Sequence, residues 1–373
     1  MNAPLWLAMA FVVGTVTTYL LARLAERWGR WLGVLDVPRA GEVQRQIVPR
    51  TGGYAMLGGL WLALGVGYLL RGQLLVDPDL GPAWNASDDV RMLGLVLGSF
   101  CIVPLALLDD RRRLGPWPQL LGQVLIAAVP VAFGLRVSSI AHPFGDPLEL
   151  PLWLDVPVSL LWFVGMMNAI NWIDNMDGLA GGLAFGGALV LFARAYLFTE
   201  YSVALFPLAL AGTCLGFLGR NRPPASIFMG SAGSLLLGFG LAGSGILGGA
   251  KVGTAVLVLG VPILDAAWVI LRRITRGVQP TIGGDREHLA MKLHDLGLST
   301  GQTVLVLYVL SAILGIIGLS LHTPPEAPSV DKLYALLGMV LVLLVVLAGV
   351  TRAVTRRGRA EVDVSRRGPG VSS

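Results

Sequence analysis

Polar clusters in an otherwise apolar chain carry the residues whose types and spacing could do chemistry. In the first cluster, "LLDDRRRLGPWPQLLGQ" at 107–123, Asp109 and Asp110 directly follow the apolar run "CIVPLALL". Adjacent carboxylates repel each other and are costly near hydrocarbon unless a cation or a basic group neutralises them. Two interpretations stay open. The pair forms ion pairs with Arg111, Arg112 and Arg113, or it binds Mg²⁺, which proteins hold with one or two carboxylates plus substrate phosphates.

The second cluster, "NAINWIDNMDGLAGG" at 168–182, repeats an amide or an acid every three residues. Asn168, Asn171, Asp174 and Asp177 would therefore lie along one side of a helix end. Such a polar stripe entering a membrane helix is either buried against partners or lines a wet cavity, which favours a functional site. The alternative for Asp177 alone is a cap on the helix that follows.

Two more polar stretches follow along the chain. A patch of small residues, "SIFMGSAGSLLLG" at 226–238, separates two long apolar runs, and "GGDREHLAMKLHDLGLS" at 283–299 contains Arg286 and His288. The glycines and serines of the patch allow close approach of the backbone to phosphates and to neighbouring helices. Taken alone, His288 is expected to be an exposed loop histidine.

The elements that must position these stretches are membrane helices. Of the 373 residues, 54% are hydrophobic and 14% are charged, and the mean hydropathy is +0.71, whereas soluble domains average about 25% charged residues. Apolar runs of roughly 17 to 25 residues predict helices rather than barrel strands, because a helix satisfies its own backbone groups in hydrocarbon. The expected fold is an all-α polytopic transmembrane bundle of about eleven helices. The predicted spans lie at 3–24, 52–70, 92–108, 118–135, 153–170, 179–198, 202–219, 232–248, 252–271, 302–321 and 333–350.

The basic residues predict the orientation of this bundle. If the first helix starts outside, most of the 28 Lys and Arg fall on the cytoplasmic side, as the positive-inside rule expects. The polar clusters then lie at that face, whereas a transporter would more often place ionisable groups near the bilayer midplane. This bias and contact with anionic lipid account for the net charge of +5, so no nucleic-acid partner is expected. We expect a single transmembrane domain at 1–351 and a disordered basic cytoplasmic tail at 352–373.

Five motifs in order give the chain a specific resemblance. Besides the first two clusters they are "LDVP" with "PRTGG" at 35–53, "FMGSAGSLLLGF" at 228–239 and "VPILDAAWVILRRITRGVQPTIGGDREHL" at 261–289. In this order the chain resembles the polyprenyl-phosphate N-acetylhexosamine-1-phosphate transferases of glycosyltransferase family 4. It is more similar to the branch that uses UDP-N-acetylglucosamine than to the muramoyl-pentapeptide branch, because "DREHL" replaces the histidine-rich loop of the latter.

The resemblance implies a reaction and its surroundings. N-acetylhexosamine 1-phosphate, most simply that of N-acetylglucosamine, would pass from a UDP-sugar to undecaprenyl phosphate, with release of UMP. The reaction would start lipid-linked cell-wall or surface-polysaccharide synthesis at the cytoplasmic face of a bacterial inner membrane. The implied cofactor is Mg²⁺, with Mn²⁺ as a substitute, and the sequence leaves open whether two copies pair as a homodimer.

The resemblance also implies roles for individual residues. Asp109 and Asp110 match an aspartate pair that engages the metal and the prenyl phosphate, and Asp177 belongs to the same catalytic set. The implied metal ligands are Asp109, Asp110 and Asp174. The implied nucleotide-sugar ligands are Asn168, Asn171, Asp174, Arg286 and His288. Asp265 is instead expected to pack, or to pair with Arg272 or Arg273.

Several positions depart from the family pattern. Ser231 stands where the family usually has a metal-binding aspartate, and a hydroxyl is a weak ligand for a hard cation. Ala290 and Met291 replace histidines of the last loop, and a basic, histidine-bearing stretch of the first loop corresponds to Gly41, Glu42 and Gln44. Two hypotheses are therefore kept, an active transferase and a paralogue that binds lipid without turning over. A lipid transporter is disfavoured by the absence of charges near the midplane, and the spaced motif of CDP-alcohol phosphatidyltransferases is absent after Asp177.

Overall fold

The computed structural model describes residues 3–38, 46–74, 86–140, 148–247, 255–256, 258–278, 287–320 and 330–366. Nearly all regular structure in these ranges is helical. The helices are α1 Ala3–Trp31, α2 Gly52–Leu74, α3 Ala86–Arg112, α4 Pro116–Ala132, α5 Leu152–Ile173, α6 Leu179–Leu197, α7 Tyr201–Asn221, α8 Gly230–Leu247, α9 Gly260–Thr275, α10 Leu289–Asp295, α11 Thr300–Ser320 and α12 Val330–Arg366. Two antiparallel pairs of short strands accompany them, β1 Leu35–Asp36 with β2 Val48–Pro49 and β3 Ser139–Ile140 with β4 Leu148–Glu149.

Nine helices in the described ranges are long and apolar enough to cross a bilayer. They are α1, α2, α3, α5, α6, α7, α8, α11 and the Leu337–Val354 part of α12. Of the other two predicted spans, 118–135 coincides with α4, which has 17 residues, and 252–271 overlaps the 16-residue α9 from residue 260 onward. Residues 252–254 and 257 lie outside the described ranges. The predicted all-α polytopic membrane bundle is therefore confirmed.

Small residues let the helices of the bundle approach one another closely. α8 lies at the centre and packs against α2, α3, α5, α6 and α7. Its sequence is mostly glycine, alanine, serine and leucine, and nearly all of it is buried. On α7, a Cβ at Gly212 or Gly216 would collide with the carbonyl oxygens of Phe11 and Thr15 in α1. Without these glycines α1 and α7 could not pack at this distance.

The last helix is longer than the sequence predicts. α12 continues to Arg366, so residues 352–366 are helical where a disordered tail is expected. The segment contains five arginines and two alanines, which are good helix formers, and it extends a helix that is already nucleated in the membrane. Residues 367–373 lie outside the described ranges.

One end of the bundle collects the polar clusters. α3, α5 and α7 end there, and α4, α6 and α8 begin there after short connections at 113–115, 174–178 and 222–229. α2 begins at the same end, because its first residues pair with the backbone of 228–229. The chain therefore returns to this end repeatedly, and each return brings one of the motifs.

Candidate functional site

Asp109, in the last turn of α3, joins three elements of the bundle. The Ser231 hydroxyl, in the first turn of α8, donates a hydrogen bond to Asp109 Oδ2. Gln119 Nε2 of α4 donates to the same oxygen at 3.4 Å, and the Leu114 N–H donates to Oδ1 at 3.0 Å. Protein donors therefore occupy both oxygens of this carboxylate.

Asp110 has different partners and keeps one oxygen open. The Tyr54 hydroxyl of α2 donates to Asp110 Oδ2 at 2.8 Å. Oδ1 is buried and accepts no hydrogen bond from the described residues. The Arg50 guanidinium and the Ser231 N–H lie near this carboxylate, although the N–H does not complete a hydrogen bond to Oδ1. A buried carboxylate oxygen without a donor is a site for a cation or for a donor that a substrate brings.

The arginines after the pair do not neutralise it. Arg111, Arg112 and Arg113 are exposed, and within the described structure none of them forms an ion pair with Asp109 or Asp110. The local ion-pair interpretation is therefore wrong. The carboxylates turn toward α2, α4 and α8 rather than toward the exposed arginines.

The small-residue patch brings α2 and α8 to the aspartate pair. The Phe228 N–H donates to the Pro49 carbonyl at 2.8 Å, and the Gly53 N–H donates to the Met229 carbonyl at 2.8 Å. Gly230 follows with a φ of +61°, where an added Cβ would collide with the Arg50 carbonyl oxygen. Glycine is needed at this position because both its backbone conformation and this close approach exclude a side chain.

The amides of the second cluster lie at contacts between helices. The Ser234 hydroxyl, one turn after Ser231 on α8, donates to Asn171 Oδ1 at 2.7 Å. Asn168 Nδ2 donates to Gln123 Oε1 of α4 at 2.6 Å. Asn171 is thus one helical turn from the Ser231–Asp109 bond, whereas Asn168 faces α4. Asp174 ends α5 and is half-buried.

Asp177 does not cap α6. Gly178 occupies the cap position, and Asp177 Oδ2 accepts a hydrogen bond from the Ala225 N–H at 2.9 Å. Burial raises the pKa of Asp177 above the usual aspartate range, and the Ala225 N–H opposes this shift. Asn221 supports the same loop, because its Oδ1 accepts from the Gly178 N–H at 3.0 Å and its Nδ2 donates to the Ile227 carbonyl at 2.9 Å. The loop of Asp177 is therefore tied to the segment that leads into α8.

His288 belongs to a second group of polar residues, on α9 and α10. It is buried rather than exposed, and its Nδ1 lies 2.7 Å from Asp265 Oδ2. Because a carboxylate only accepts, Nδ1 carries the proton of this bond. Asp265 Oδ1 accepts from the Leu289 N–H at 2.8 Å, so its partners are His288 and Leu289 and the predicted arginine partner is wrong. Within the described structure, no hydrogen bond joins His288 to the aspartates of α3.

Lys292, on α10, is a buried cation in this second group. Its ammonium group is inaccessible and forms no hydrogen bond with the described residues. Burial, together with the nearby positive charge of Arg272, lowers the pKa of Lys292 to about 8. Arg286, which the sequence places among the sugar ligands, lies outside the described residues, as do Gly41, Glu42 and Gln44.

Comparison with known proteins identifies the family. The model of "Glycosyl transferase family 4" matches residues 92–249. A Bacillus subtilis protein named "Probable undecaprenyl-phosphate N-acetylglucosaminyl 1-phosphate transferase" is 32% identical over 317 residues, which cover 83% of each chain. The chain belongs to glycosyl transferase family 4.

Two further relatives are similar to this chain over more than half of its length. "Decaprenyl-phosphate N-acetylglucosaminephosphotransferase" of Mycobacterium leprae is 31% identical over 330 residues, which cover 81% of this chain and 80% of that protein. A Synechococcus "Phospho-N-acetylmuramoyl-pentapeptide-transferase" is 36% identical over 234 residues, covering 58% of this chain and 64% of the relative. The family match at 92–249 contains the aspartate pair, the Asp177 loop and the small-residue patch.

The residues of this family 4 chain fit Mg²⁺ only in part. Within the described ranges, no three His, Cys, Asp or Glu side chains are grouped so that they could hold a metal ion. Asp110 Oδ1 fits the ion, because it is a buried carboxylate oxygen without a hydrogen-bond donor. Mg²⁺ is commonly held by one or two carboxylates, with substrate phosphates and water completing the shell. The site therefore suits an ion that arrives with a phosphorylated substrate.

Four polar residues of the site carry no prediction from the sequence. Tyr54 comes directly after "PRTGG", and Gln119 and Gln123 lie inside the first cluster. Asn221 precedes the "RPPA" turn at the end of a long apolar helix. In each case the sequence did offer one indication of a site residue, namely a polar side chain at or near the end of a predicted membrane helix. Hydropathy does not show which neighbouring helix such a residue will face.

Proposed function

We propose that this family 4 member transfers N-acetylglucosamine 1-phosphate from a UDP-sugar to undecaprenyl phosphate and releases UMP. The observation that carries the proposal is the meeting of α2, α3, α4 and α8 around Asp109 and Asp110, with Asp110 Oδ1 buried and open. The names of the relatives support the polyprenyl phosphate acceptor and the sugar. We place the site at the cytoplasmic face of a bacterial inner membrane, because most basic residues lie in the loops at that end.

The proposed reaction suits a site at the end of a membrane bundle. A phosphate oxygen of the lipid attacks the β-phosphorus of the UDP-sugar, the bond from that phosphorus to the bridging oxygen breaks, and UMP leaves with that oxygen. The lipid phosphate lies at headgroup level, while the nucleotide sugar arrives from the aqueous side. Both substrates are anionic, so positioning and charge neutralisation account for most of the rate in this chemistry.

Different residues of the chain support the aspartates, hold the metal and bind the nucleotide sugar in this proposal. Tyr54 and Ser231 hold the two aspartates in place, and the loop of Asp177 is fixed by Ala225 and Asn221. Mg²⁺ would be held by Asp110 and its neighbour Asp109, with substrate phosphates and water completing the shell, and would neutralise charge on the diphosphate when bound; Asp174, the third predicted ligand, is not grouped with this pair in the described structure. For the nucleotide sugar we propose the ligands Asn168, Asn171, Asp174, Arg286 and His288. Asn171 is supported best, because Ser234 places it one turn from Ser231.

A second candidate is a paralogue that binds the lipid but does not turn over. The observation that favours it is the state of Asp109, whose two oxygens accept from Ser231, Gln119 and Leu114. Donors in these positions compete with a cation for the same lone pairs. Ser231 also lacks the negative charge that an aspartate would contribute at this place.

One assay with a variant separates the two candidates. The purified protein is incubated with UDP-N-acetylglucosamine, undecaprenyl phosphate and Mg²⁺, and UMP and the lipid-linked sugar are measured. The transferase makes both products in equal amounts, and Asp110→Asn abolishes them while the apparent melting temperature changes little. If folded protein binds the lipid and forms no UMP with any UDP-sugar or with Mn²⁺, the second candidate is correct.

A further inference from the structure

Asp265 is an ionisable residue inside α9, where it directly follows the apolar run "VPIL". The residue is 2% exposed, and both of its side-chain oxygens accept hydrogen bonds. Oδ2 lies 2.7 Å from Nδ1 of His288, and Oδ1 accepts from the Leu289 N–H at 2.8 Å. A buried carboxylate is costly unless donors satisfy it. These two donors therefore account for an aspartate at this place, and they tie α9 to the start of α10.

Asp265 also determines which nitrogen of the His288 ring carries a proton. Because a carboxylate only accepts, the short contact with Nδ1 requires the proton to be on Nδ1. In the neutral ring Nε2 then has a lone pair and can only accept a hydrogen bond. Within the described residues the His288 ring has no second hydrogen-bond partner. The ring therefore offers one acceptor whose character is fixed by Asp265.

This acceptor lies at the same end of the bundle as the connection 174–178 between α5 and α6. The helix that follows α10 reaches that connection, because the Tyr308 hydroxyl of α11 donates to the Gly178 carbonyl at 2.5 Å. In addition, α9 packs against α5, which carries Asn171 in its last turn. His288 therefore lies among the elements that carry the other proposed ligands of the nucleotide sugar.

We propose that Asp265 is a positioning residue, which fixes the proton of His288 on Nδ1. Nε2 then accepts a hydrogen bond from an N–H group of the nucleotide sugar. The inference rests on the proposed function for the identity of this ligand. A hydroxyl both donates and accepts, so it would bind either tautomer of the ring, whereas an N–H only donates and needs the tautomer that Asp265 fixes. UDP-N-acetylglucosamine has two N–H groups, one in the acetamido group of the sugar and one in the uracil ring.

The substitution Asp265→Asn reverses the tautomer but can keep both hydrogen bonds. The new amide oxygen can still accept from the Leu289 N–H, while the amide nitrogen donates to Nδ1 of His288. The ring proton then moves to Nε2, and a donor faces the N–H group of the ligand. A purely structural tie between α9 and α10 would survive this change, whereas the fixed acceptor would be lost.

Two further variants complete the set. In His288→Asn the amide nitrogen can donate to Asp265 as Nδ1 does, but nothing replaces Nε2, so this variant tests the acceptor even if Asp265→Asn does not fold. Asp155→Asn is the matched control. Asp155 is also a buried aspartate of a helix and pairs with Arg136, but it lies in the first turn of α5, at the opposite end of the bundle.

Binding of UDP-N-acetylglucosamine, UDP-glucose and UDP is measured by calorimetry in detergent with Mg²⁺, without the lipid acceptor. The pH is 8, where ordinary histidine side chains are neutral. We expect Asp265→Asn and His288→Asn each to weaken UDP-N-acetylglucosamine binding about tenfold, because one hydrogen bond to the ligand is lost. The double variant should bind as each single variant does, and Asp155→Asn should match the unmodified protein.

The other two ligands show which N–H group is bound. If the acetamido group is the partner, the affinities for UDP-glucose and UDP stay unchanged in the variants, and the preference for the N-acetylated sugar shrinks. If the uracil ring is the partner, the affinities for all three ligands fall by the same factor.

The tautomer itself is read from ¹⁵N–¹³C NMR spectra of protein labelled in its four histidines. The signals of His288 are those that are missing in His288→Asn. We expect the ring proton on Nδ1 in the unmodified protein and on Nε2 in Asp265→Asn.

Three results would overturn the inference. They are a proton on Nε2 of His288 in the unmodified protein at pH 8, equal affinity for UDP-N-acetylglucosamine in all variants, and an equal loss of affinity in Asp155→Asn. Since this binding needs neither lipid nor turnover, failure of the proposed reaction is seen separately. It would appear as nucleotide-sugar binding with the expected pattern but without formation of UMP when the lipid is added.

Discussion

The hydroxyl of Tyr54 is the group that fixes the orientation of Asp110. It donates to Asp110 Oδ2 at 2.8 Å, which leaves Oδ1 as the open oxygen. A hydrogen bond to a charged group is worth about 1.5–3 kcal/mol. We therefore expect Tyr54→Phe to lower the rate of UMP formation about tenfold or more. Tyr334→Phe, which changes an exposed tyrosine of α12, is the matched control and should leave the rate unchanged. Equal rates in both variants would contradict the role of Tyr54.

We expect the residue at position 231 to set how well the site holds a cation, because its side chain contacts Asp109. Ser231→Asp would place a second carboxylate against Asp109, and the repulsion between them is relieved when a cation binds. We expect Mg²⁺ to raise the apparent melting temperature of Ser231→Asp more than that of the unmodified protein. Ser231→Asn, which is similar in size and neutral, is the control. The same response to Mg²⁺ in all three proteins would mean that position 231 does not face the metal.

The sequence predicts which residues are polar at the end of the bundle better than it predicts their partners. The aspartate pair, the Asp177 loop and the small-residue patch do meet, because short connections bring their helices to one end. The pairs Tyr54–Asp110 and Asp265–His288 are not predictable in this way. They depend on how each helix is rotated about its axis, and in a chain that is apolar on most sides hydropathy gives little information about rotation.

At the scale of elements, Asn221 connects the end of α7 to two other segments. Asn221→Ala would leave the Gly178 N–H and the Ile227 carbonyl without partners in a buried position. Each unsatisfied group costs about 1–3 kcal/mol. We expect a lower apparent melting temperature and a lower rate of UMP formation, since the Asp177 loop loses its support. A variant with unchanged stability and rate would show that this connection is dispensable.

Lys292 makes the stability of the α9–α10 region depend on pH. Burial and Arg272 lower its pKa to about 8 from the usual lysine value of 10.5. Between these two values the unfolded chain therefore binds more protons than the folded protein. Stability should therefore rise with pH across this window. Asp265, Glu287 and Arg276 also act on this lysine.

We expect Lys292→Met to melt at a higher temperature than the unmodified protein at pH 7, because it removes a buried charge. The difference should shrink between about pH 8 and pH 10.5. Lys292→Arg keeps the charge and serves as the control. A lower melting temperature of Lys292→Met at pH 7 would mean that the ammonium group is stabilised by a partner.

For the whole molecule, the proposed function requires that the polar end of the bundle face the cytoplasm. Thr199 and Arg222 lie near opposite ends of α7, and both are exposed. In a protein without Cys101 and Cys214, we expect a membrane-impermeant maleimide to label Thr199→Cys in intact spheroplasts. Arg222→Cys should react only after the membrane is permeabilised. The reverse pattern would place the aspartate pair outside and contradict the proposed location.

The all-α fold follows from composition, whereas details at its ends do not. Long apolar runs must form helices in lipid, and each predicted span overlaps a helix of the described structure. The extension of α12 to Arg366 continues a helix that already exists in the membrane, so it needs no new nucleation. A prediction based on the charges and turn residues of the tail does not take this into account. The sequence leaves open whether two copies pair as a homodimer, which native mass spectrometry of the detergent-solubilised protein would decide.

The central claim is the transfer of a sugar together with its phosphate, and the fate of one phosphorus atom tests it directly. UDP-N-acetylglucosamine labelled with ³²P at the β-phosphorus is incubated with the protein, undecaprenyl phosphate and Mg²⁺, and the lipid and aqueous phases are separated. We predict that the label enters the lipid phase and that the released nucleotide is unlabelled UMP. Label that stays in water as UDP, or a lipid phase without label in the presence of folded protein, would contradict the account.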